Sequence, residues 1–172
     1  MEVLQAKVEV GRLEKAEPLS ESEVEMIQRS WVPVFQKNEA AWIAVLIRLF
    51  SNFPSSKQFF SQFQHIDNPE EMKQSVQLKN HSKRAMKAMN TLVENLHDDD
   101  KVALVLSVMG KSHAIKHKVD PKYFKILGEV LLEVLVEDFP DSFSPDVQEA
   151  WGKLMALMYC HVTRVYSEVG WV

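Results

Sequence analysis

The apolar positions of this chain recur every three or four residues along most of its length, the period of helices buried on one face. Ser20-Glu21-Ser22-Glu23 offers a Ser-x-x-Glu capping box just ahead of Val24, Ile27 and Trp31, which predicts a helix start; Pro33 is expected to kink or end that helix. The next helix, about residues 37–52, is nearly all apolar from Ala40 to Phe50 except for Arg48, so it must be covered on most sides. Asn52-Phe53-Pro54-Ser55 predicts a short helical turn leading to Phe59, Phe60 and Phe63. After a polar connection, Asp67-Asn68-Pro69-Glu70-Glu71, a long helix of about residues 75–96 carries the stripe Leu78, Ala85, Met89, Leu92 and Leu96, and His81 lies on it.

Asp98-Asp99-Asp100 caps a shorter helix with the stripe Val102, Val105, Leu106 and Met109, and a step of four reaches His113. Asp120-Pro121 sets an N-cap and a first-turn proline before Phe124, Leu127, Leu131, Val134 and Leu135. Ser144-Pro145-Asp146 repeats the device before a last helix with Trp151, Leu154, Met155, Met158, Val162 and Val165 inward. No strand pattern competes, so the fold class is all-α. Residues 1–19 have weak periodicity and end near Pro18, and they are expected to form a flexible or partner-ordered extension ahead of a domain spanning 20–172.

Composition narrows the functions open to such a helical domain. Glycine and proline together make 12 of 172 residues, about 7% against a usual share of roughly 12%. The glycines are never closer than 18 positions, which rules out glycine-rich nucleotide loops. The single cysteine, Cys160, excludes an internal disulfide and a Cys-rich zinc or iron–sulfur site, and fits a reducing compartment. Twenty basic against 24 acidic residues argue against a nucleic-acid binder. The charged start is neither a secretory signal nor a myristoylation site, and the longest uncharged apolar run, Ala40 to Ile47, falls far short of the roughly 20 residues that span a bilayer. The expectation is a cytoplasmic protein with no membrane span.

His81 and His113 stand on the apolar faces of two different helices. Each alone reads most simply as a core histidine. As a pair they suit an iron-bearing macrocycle held in an apolar cleft, with Ser112 able to accept a hydrogen bond from the far ring nitrogen of His113. Zinc is a poorer match, since no His-Glu-x-x-His or Cys-x-x-Cys spacing occurs. His117, flanked by Lys116 and Lys118, and Arg84, one turn after His81, are either surface residues or a clamp for anionic groups. His65, His97 and His161 have no chemical company, and no nucleophile triad stands out.

Several segments resemble the globins, and within them the vertebrate cytoglobins. They are Leu-Ile-Arg-Leu-Phe-Ser-Asn-Phe-Pro at 46–54, Phe-Phe-Ser-Gln-Phe at 59–63, Leu-Lys-Asn-His at 78–81, Asn-Thr-Leu-Val-Glu-Asn-Leu-His at 90–97, Gly-Lys-Ser-His-Ala-Ile-Lys-His-Lys-Val-Asp-Pro at 110–121, Tyr-Phe-Lys-Ile-Leu at 123–127 and Glu-Val-Gly-Trp at 168–171. The resemblance implies the globin fold, eight helices around a haem pocket, and haem b (iron protoporphyrin IX) as cofactor. It implies His113 as proximal iron ligand, His81 as distal ligand, Phe60 as the wedge against the porphyrin and Leu46 as the cap of the distal pocket. His117 and Arg84 match positions near the propionates. Ala85, Met109, Val119, Phe124 and Leu127 match pocket-lining positions. Three departures stand out: Asn38 and Lys83 replace a cysteine pair common in cytoglobins, Ala85 replaces a β-branched residue, and Trp42 replaces a glycine at a helix crossing.

The function implied is a reversible two-histidine iron site that binds dioxygen, nitric oxide, carbon monoxide and nitrite. It would convert nitric oxide to nitrate, or reduce nitrite with His81 as proton donor, given its ordinary pKa of about 6.5. No flavin or nicotinamide motif is present, so turnover needs an external electron donor. The alternative is an oxygen storage, transport or sensing protein without turnover. The resemblance also suggests a homodimer.

Overall fold

A computed structural model of the protein describes residues 18–37, 39–60 and 68–171. Most of the expected N-terminal extension, together with Asn38, Phe63 and His65, lies outside them. Among the described residues every regular element is helical: α1 (Glu21–Lys37), α2 (Glu39–Asn52), a 3-10 turn (Pro54–Phe59), α3 (Pro69–Gln74), α4 (Val76–Glu94), α5 (Asp99–Lys111), a π-helical turn (Ser112–Lys116), α6 (Lys122–Asp138) and α7 (Pro145–Glu168).

The helix starts are made by the side chains expected to make them. Ser20 Oγ accepts from the Glu23 N–H at 3.1 Å while Glu23 Oε1 accepts from the Ser20 N–H at 2.9 Å, a complete capping box. Asp98 accepts from the Lys101 N–H. At α6 the cap position falls on Pro121 rather than on Asp120, whose carboxylate still accepts from the Lys122 N–H. The Ser144 hydroxyl makes no such bond, and Pro145 alone marks the start of α7. Of the two outcomes expected at Pro33, the end of the helix does not occur: α1 runs on to Lys37, with Val34 buried and Phe35 packed on Trp31 at 6.2 Å. The stretch expected as connection becomes α3, since Asn68 caps Pro69–Gln74 by accepting from the Glu70 N–H; Ser75 then opens α4 by accepting from the Leu78 N–H.

The main packing pairs are α5 with α7, α2 with α4 and α6, and α1 with α7. Near the centre Trp151 is fully buried between Trp31 and Phe143, each ring centroid 5.9 Å away, and its indole N–H donates to Ser30 Oγ at 2.8 Å. Trp31 in turn donates to Asn90 and Gln28 to the Val93 carbonyl, which ties α1 to the far half of α4. This fixes α4 over the apolar α2. A second, smaller cluster of Ala114, Val162 and Tyr166, with Phe124, Val169 and Trp171 against it, sits behind the π-helical turn. The two clusters hold the walls that carry His81 and His113.

Candidate functional site

His113 sits in the π-helical turn that ends α5, and the chain leaves it through Lys118, whose φ of +53° is left-handed. His113 Nδ1 lies 2.7 Å from the Met109 carbonyl one turn earlier. That carbonyl, not Ser112, is the partner of the ring, a correction with a simple cause. A histidine ring folds back along its own helix toward the residue four before it, whereas its neighbour at 112 projects about 100° around the axis. A carbonyl only accepts, so Nδ1 carries the proton and Nε2 keeps a free lone pair. Phe124 meets the ring edge-to-face at 5.1 Å and His117 tilts against it at 5.7 Å. Burial pushes the His113 pKa down, against the Met109 carbonyl, and His117 adds to the depression.

His81 projects from α4. Phe60 packs edge-to-face on it at 5.3 Å and is itself braced by Phe50 at 5.1 Å. The His81 ring makes no hydrogen bond, and its Nδ1 is buried without a partner. Burial above all, then the charges of Arg84, His113 and His117, push its pKa down to about 4, so it is a neutral imidazole at physiological pH. The premise of an ordinary histidine pKa therefore does not carry over, and with it goes the support for His81 as a proton donor near neutrality. The same electrostatics show that Arg84, His81, His113 and His117 share one neighbourhood. Arg84 and His117 are exposed at its edge.

Leu46 is fully buried, while Phe60, Ala85, Met109 and Leu127 are half-buried and pack against the main core. Val119 and Ser112 are also half-buried, and the Val119 carbonyl accepts from the Tyr166 hydroxyl at 2.6 Å. The sequence reading missed Tyr166, although it lies four residues after Val162 on the inward stripe of α7. It also missed the bond between Ser55 and Tyr123, 2.7 Å long, which anchors the 3-10 turn preceding Phe60. Trp42, the departure at the helix crossing, is buried with its indole N–H unpartnered. Cys160 is buried as well, with a free thiol.

The donor set fits haem. Two partly desolvated imidazoles from separate segments share one neighbourhood; one has its tautomer fixed by a carbonyl and the other has an orphaned ring nitrogen. Among the described residues no group of three or more His, Cys, Asp or Glu could hold a metal ion, which leaves zinc without its further ligands. Nor is any described helix long and apolar enough to cross a membrane.

Residues 43–162 match the family model described as Globin. A protein named cytoglobin-2 from Oryzias latipes is 56% identical over 161 residues, covering 94% of this chain and 90% of that protein. A cytoglobin-1 from Danio rerio is 54% identical over 154 residues, covering 89% and 88%. A globin-1 from Petromyzon marinus is 30% identical over 118 residues, covering 69% and 79%.

Proposed function

The chain belongs to the globin family, and from that premise we propose that it is a cytoglobin-like haem protein whose iron is held by His113 and, reversibly, by His81. Family membership implies haem binding and an oxygen-related function. The observation that carries the finer reading is the pairing of a tautomer-locked His113 with a half-buried His81 whose Nδ1 is buried without a partner. When bound, haem b supplies an iron that takes dioxygen, nitric oxide or carbon monoxide and cycles between two oxidation states.

The residues do the rest. The Met109 carbonyl holds the proton on His113 Nδ1, which aims the Nε2 lone pair and raises its basicity. Phe124 keeps that ring from rotating. Phe60, braced by Phe50, holds His81 edge-on and excludes water from its face. His81, neutral by burial, offers either a lone pair or one N–H; displaced by an incoming gas, it can donate a hydrogen bond to it. Arg84 and His117 at the rim suit the anionic propionates.

We take conversion of nitric oxide to nitrate, fed by an external reductase, as the favoured activity. Nitrite reduction is the lesser reading, because burial lowers the pKa of His81 in the haem-free chain and so favours its neutral form over the protonated one. That same observation favours the second reading, an oxygen store, carrier or sensor without turnover, which needs only reversible displacement of His81. A cytoplasmic location and a homodimer belong to the same proposal. The optical spectrum of the deoxygenated ferrous protein tests the ligand assignment. Two sharp visible bands that vanish in His81→Ala support it, and one broad high-spin band in the parent protein overturns it. Comparing nitric oxide consumption with re-reduction under cellular reductants then separates enzyme from carrier.

A further inference from the structure

Tyr123 and Phe124 stand side by side at the start of α6, just after the segment that leaves His113, and they reach two different places. Phe124 meets the His113 ring edge-to-face at 5.1 Å. Tyr123, which is buried, reaches the 3-10 turn that leads to Phe60. Its hydroxyl is hydrogen-bonded to Ser55 Oγ at 2.7 Å, across 68 positions of the chain, and its ring meets Phe59 edge-to-face at 5.1 Å. Ser55 lies near the start of the turn and Phe59 is its last residue, so Tyr123 grips it along its whole length.

The turn's main-chain and Ser56 hydrogen bonds supply no such anchor. Ser56 is buried, but its N–H and its hydroxyl both donate to the Phe53 carbonyl, and the Phe60 N–H donates to the Lys57 carbonyl; all three close within the turn and its flanks. No side chain caps the turn's start. Hydrogen bonds in a 3-10 turn have poorer geometry than those of an α-helix, so a tie to a distant helix counts for more in fixing it. Tyr123 is itself well held: its N–H donates to the Asp120 carbonyl at 3.0 Å, and the Lys122 ammonium lies 5.3 Å from its ring centroid. At the far end of the turn Phe60 stands edge-on to His81 at 5.3 Å. An imidazole that leaves its place must move against Phe60, and Phe60 gives way only as far as the turn lets it.

We propose that Tyr123 is a positioning residue for His81: through Ser55 and Phe59 it clamps the 3-10 turn, the turn holds Phe60 against the His81 ring, and this sets how readily an incoming gas displaces that histidine. The proposal rests on the reading of His81 as a displaceable ligand and adds what governs the displacement. With Phe124 on His113, one helix start then supports both histidines.

Rapid mixing of the deoxygenated ferrous haem-loaded protein with carbon monoxide tests this. Where His81 must leave first, the binding rate levels off with rising carbon monoxide at the rate of that departure. Tyr123→Phe keeps the ring against Phe59 and loses only the hydroxyl, while Ser55→Ala loses the other half of the bond. Each is expected to raise the levelled-off rate by about 2- to 10-fold, the worth of one hydrogen bond. The two changes together should do no more than either alone, and Ser55→Thr, which keeps a hydroxyl, should stay near the parent. In a His81→Ala background Tyr123→Phe should leave carbon monoxide binding unchanged, which a general loosening of the fold would not. In the haem-free chain, hydrogen exchange at the Ser56 and Phe60 amides should quicken in both single variants. A parent rate that rises without levelling off overturns the displaceable-ligand reading and this proposal with it. A parent rate that levels off but is unmoved by Tyr123→Phe, an equal effect without His81, or unchanged exchange in the turn overturns the role of Tyr123 and leaves the ligand reading standing.

Discussion

The hydroxyl of Tyr166 donates a 2.6 Å hydrogen bond to the main-chain carbonyl of Val119, joining the end of α7 to the turn that follows His113. The Val119 N–H donates in turn to the His113 carbonyl at 2.9 Å, so the bond reaches the site through two links. Phe124 and Trp171 pack on the Tyr166 ring at 6.0 and 5.3 Å. Burial, with a smaller push from Asp120, raises its pKa to about 12. Tyr166→Phe is expected to lower stability near neutral pH by about 1 kcal/mol, chiefly through the carbonyl left unpaired. A pKa raised on folding favours the folded state fully below the ordinary value of about 10, and that advantage is lost as pH climbs toward 12. Urea unfolding at about pH 8 and about pH 11 should show the gap between parent and variant narrowing. An unchanged gap would count against a buried, neutral Tyr166.

Two glycines in neighbouring helices should respond in opposite senses. A Cβ at Gly110 would meet Val165 Cγ1 at 3.1 Å, so a larger side chain there forces α5 and α7 apart. Gly110→Val is expected to cost about 1–3 kcal/mol. At Gly152, on the exposed side of α7, a Cβ meets nothing within 4 Å. Gly152→Ala is expected to gain about 0.5–1 kcal/mol by limiting the freedom of the unfolded chain. Thermal melts of the two variants side by side check both signs.

Local signals made the helices legible in the sequence. Ser20, Asp98 and Asp120 act on donors two or three residues away, and the apolar stripes repeat within a turn, so position along the chain contains the whole argument. His81 and His113 could be singled out for the same reason. What could not be read was how side chains pair across space. The Met109 carbonyl is a main-chain atom with no side-chain signature, and Tyr166 reaches Val119 from 47 residues away. The depressed pKa of His81 is hardly more visible, because it arises above all from burial and, beyond Arg84 one turn on along the same helix, from His113 and His117 on another segment. Trp42 was legible as an oddity, yet only the structure shows its indole buried with no partner.

That unpartnered indole gives a contrast between two tryptophans. Trp151 donates to Ser30 in the core, so Ser30→Ala strands a buried N–H and should cost about 1–3 kcal/mol. Trp42 has no such bond to lose. Trp42→Phe removes an unsatisfied donor along with some packing area, and the two effects nearly offset, leaving stability within about 1 kcal/mol of the parent. Urea denaturation of both variants decides this. A loss for Trp42→Phe as large as that for Ser30→Ala would mean that a hidden partner, such as an ordered water, satisfies the indole.

The two site histidines should also separate in what they do to the protein without haem. His81 is half-buried, with its Nδ1 buried and orphaned and its pKa pushed down to about 4, so it burdens the empty fold. His113 has its Nδ1 proton satisfied by Met109 and burdens the fold less. His81→Leu is therefore expected to stabilise the haem-free protein by about 1 kcal/mol. A histidine pKa depressed on folding favours the folded state only above the ordinary value of about 6.5, and that contribution is lost as pH falls toward 4. The haem-free His81→Leu protein should accordingly lose less stability between those pH values than the parent. In the haem-loaded protein the order reverses in importance: His113→Ala should release haem to an excess acceptor at least ~10-fold faster, while His81→Ala changes release much less. Equal release from the two variants would remove the distinction between a permanent and a displaceable ligand.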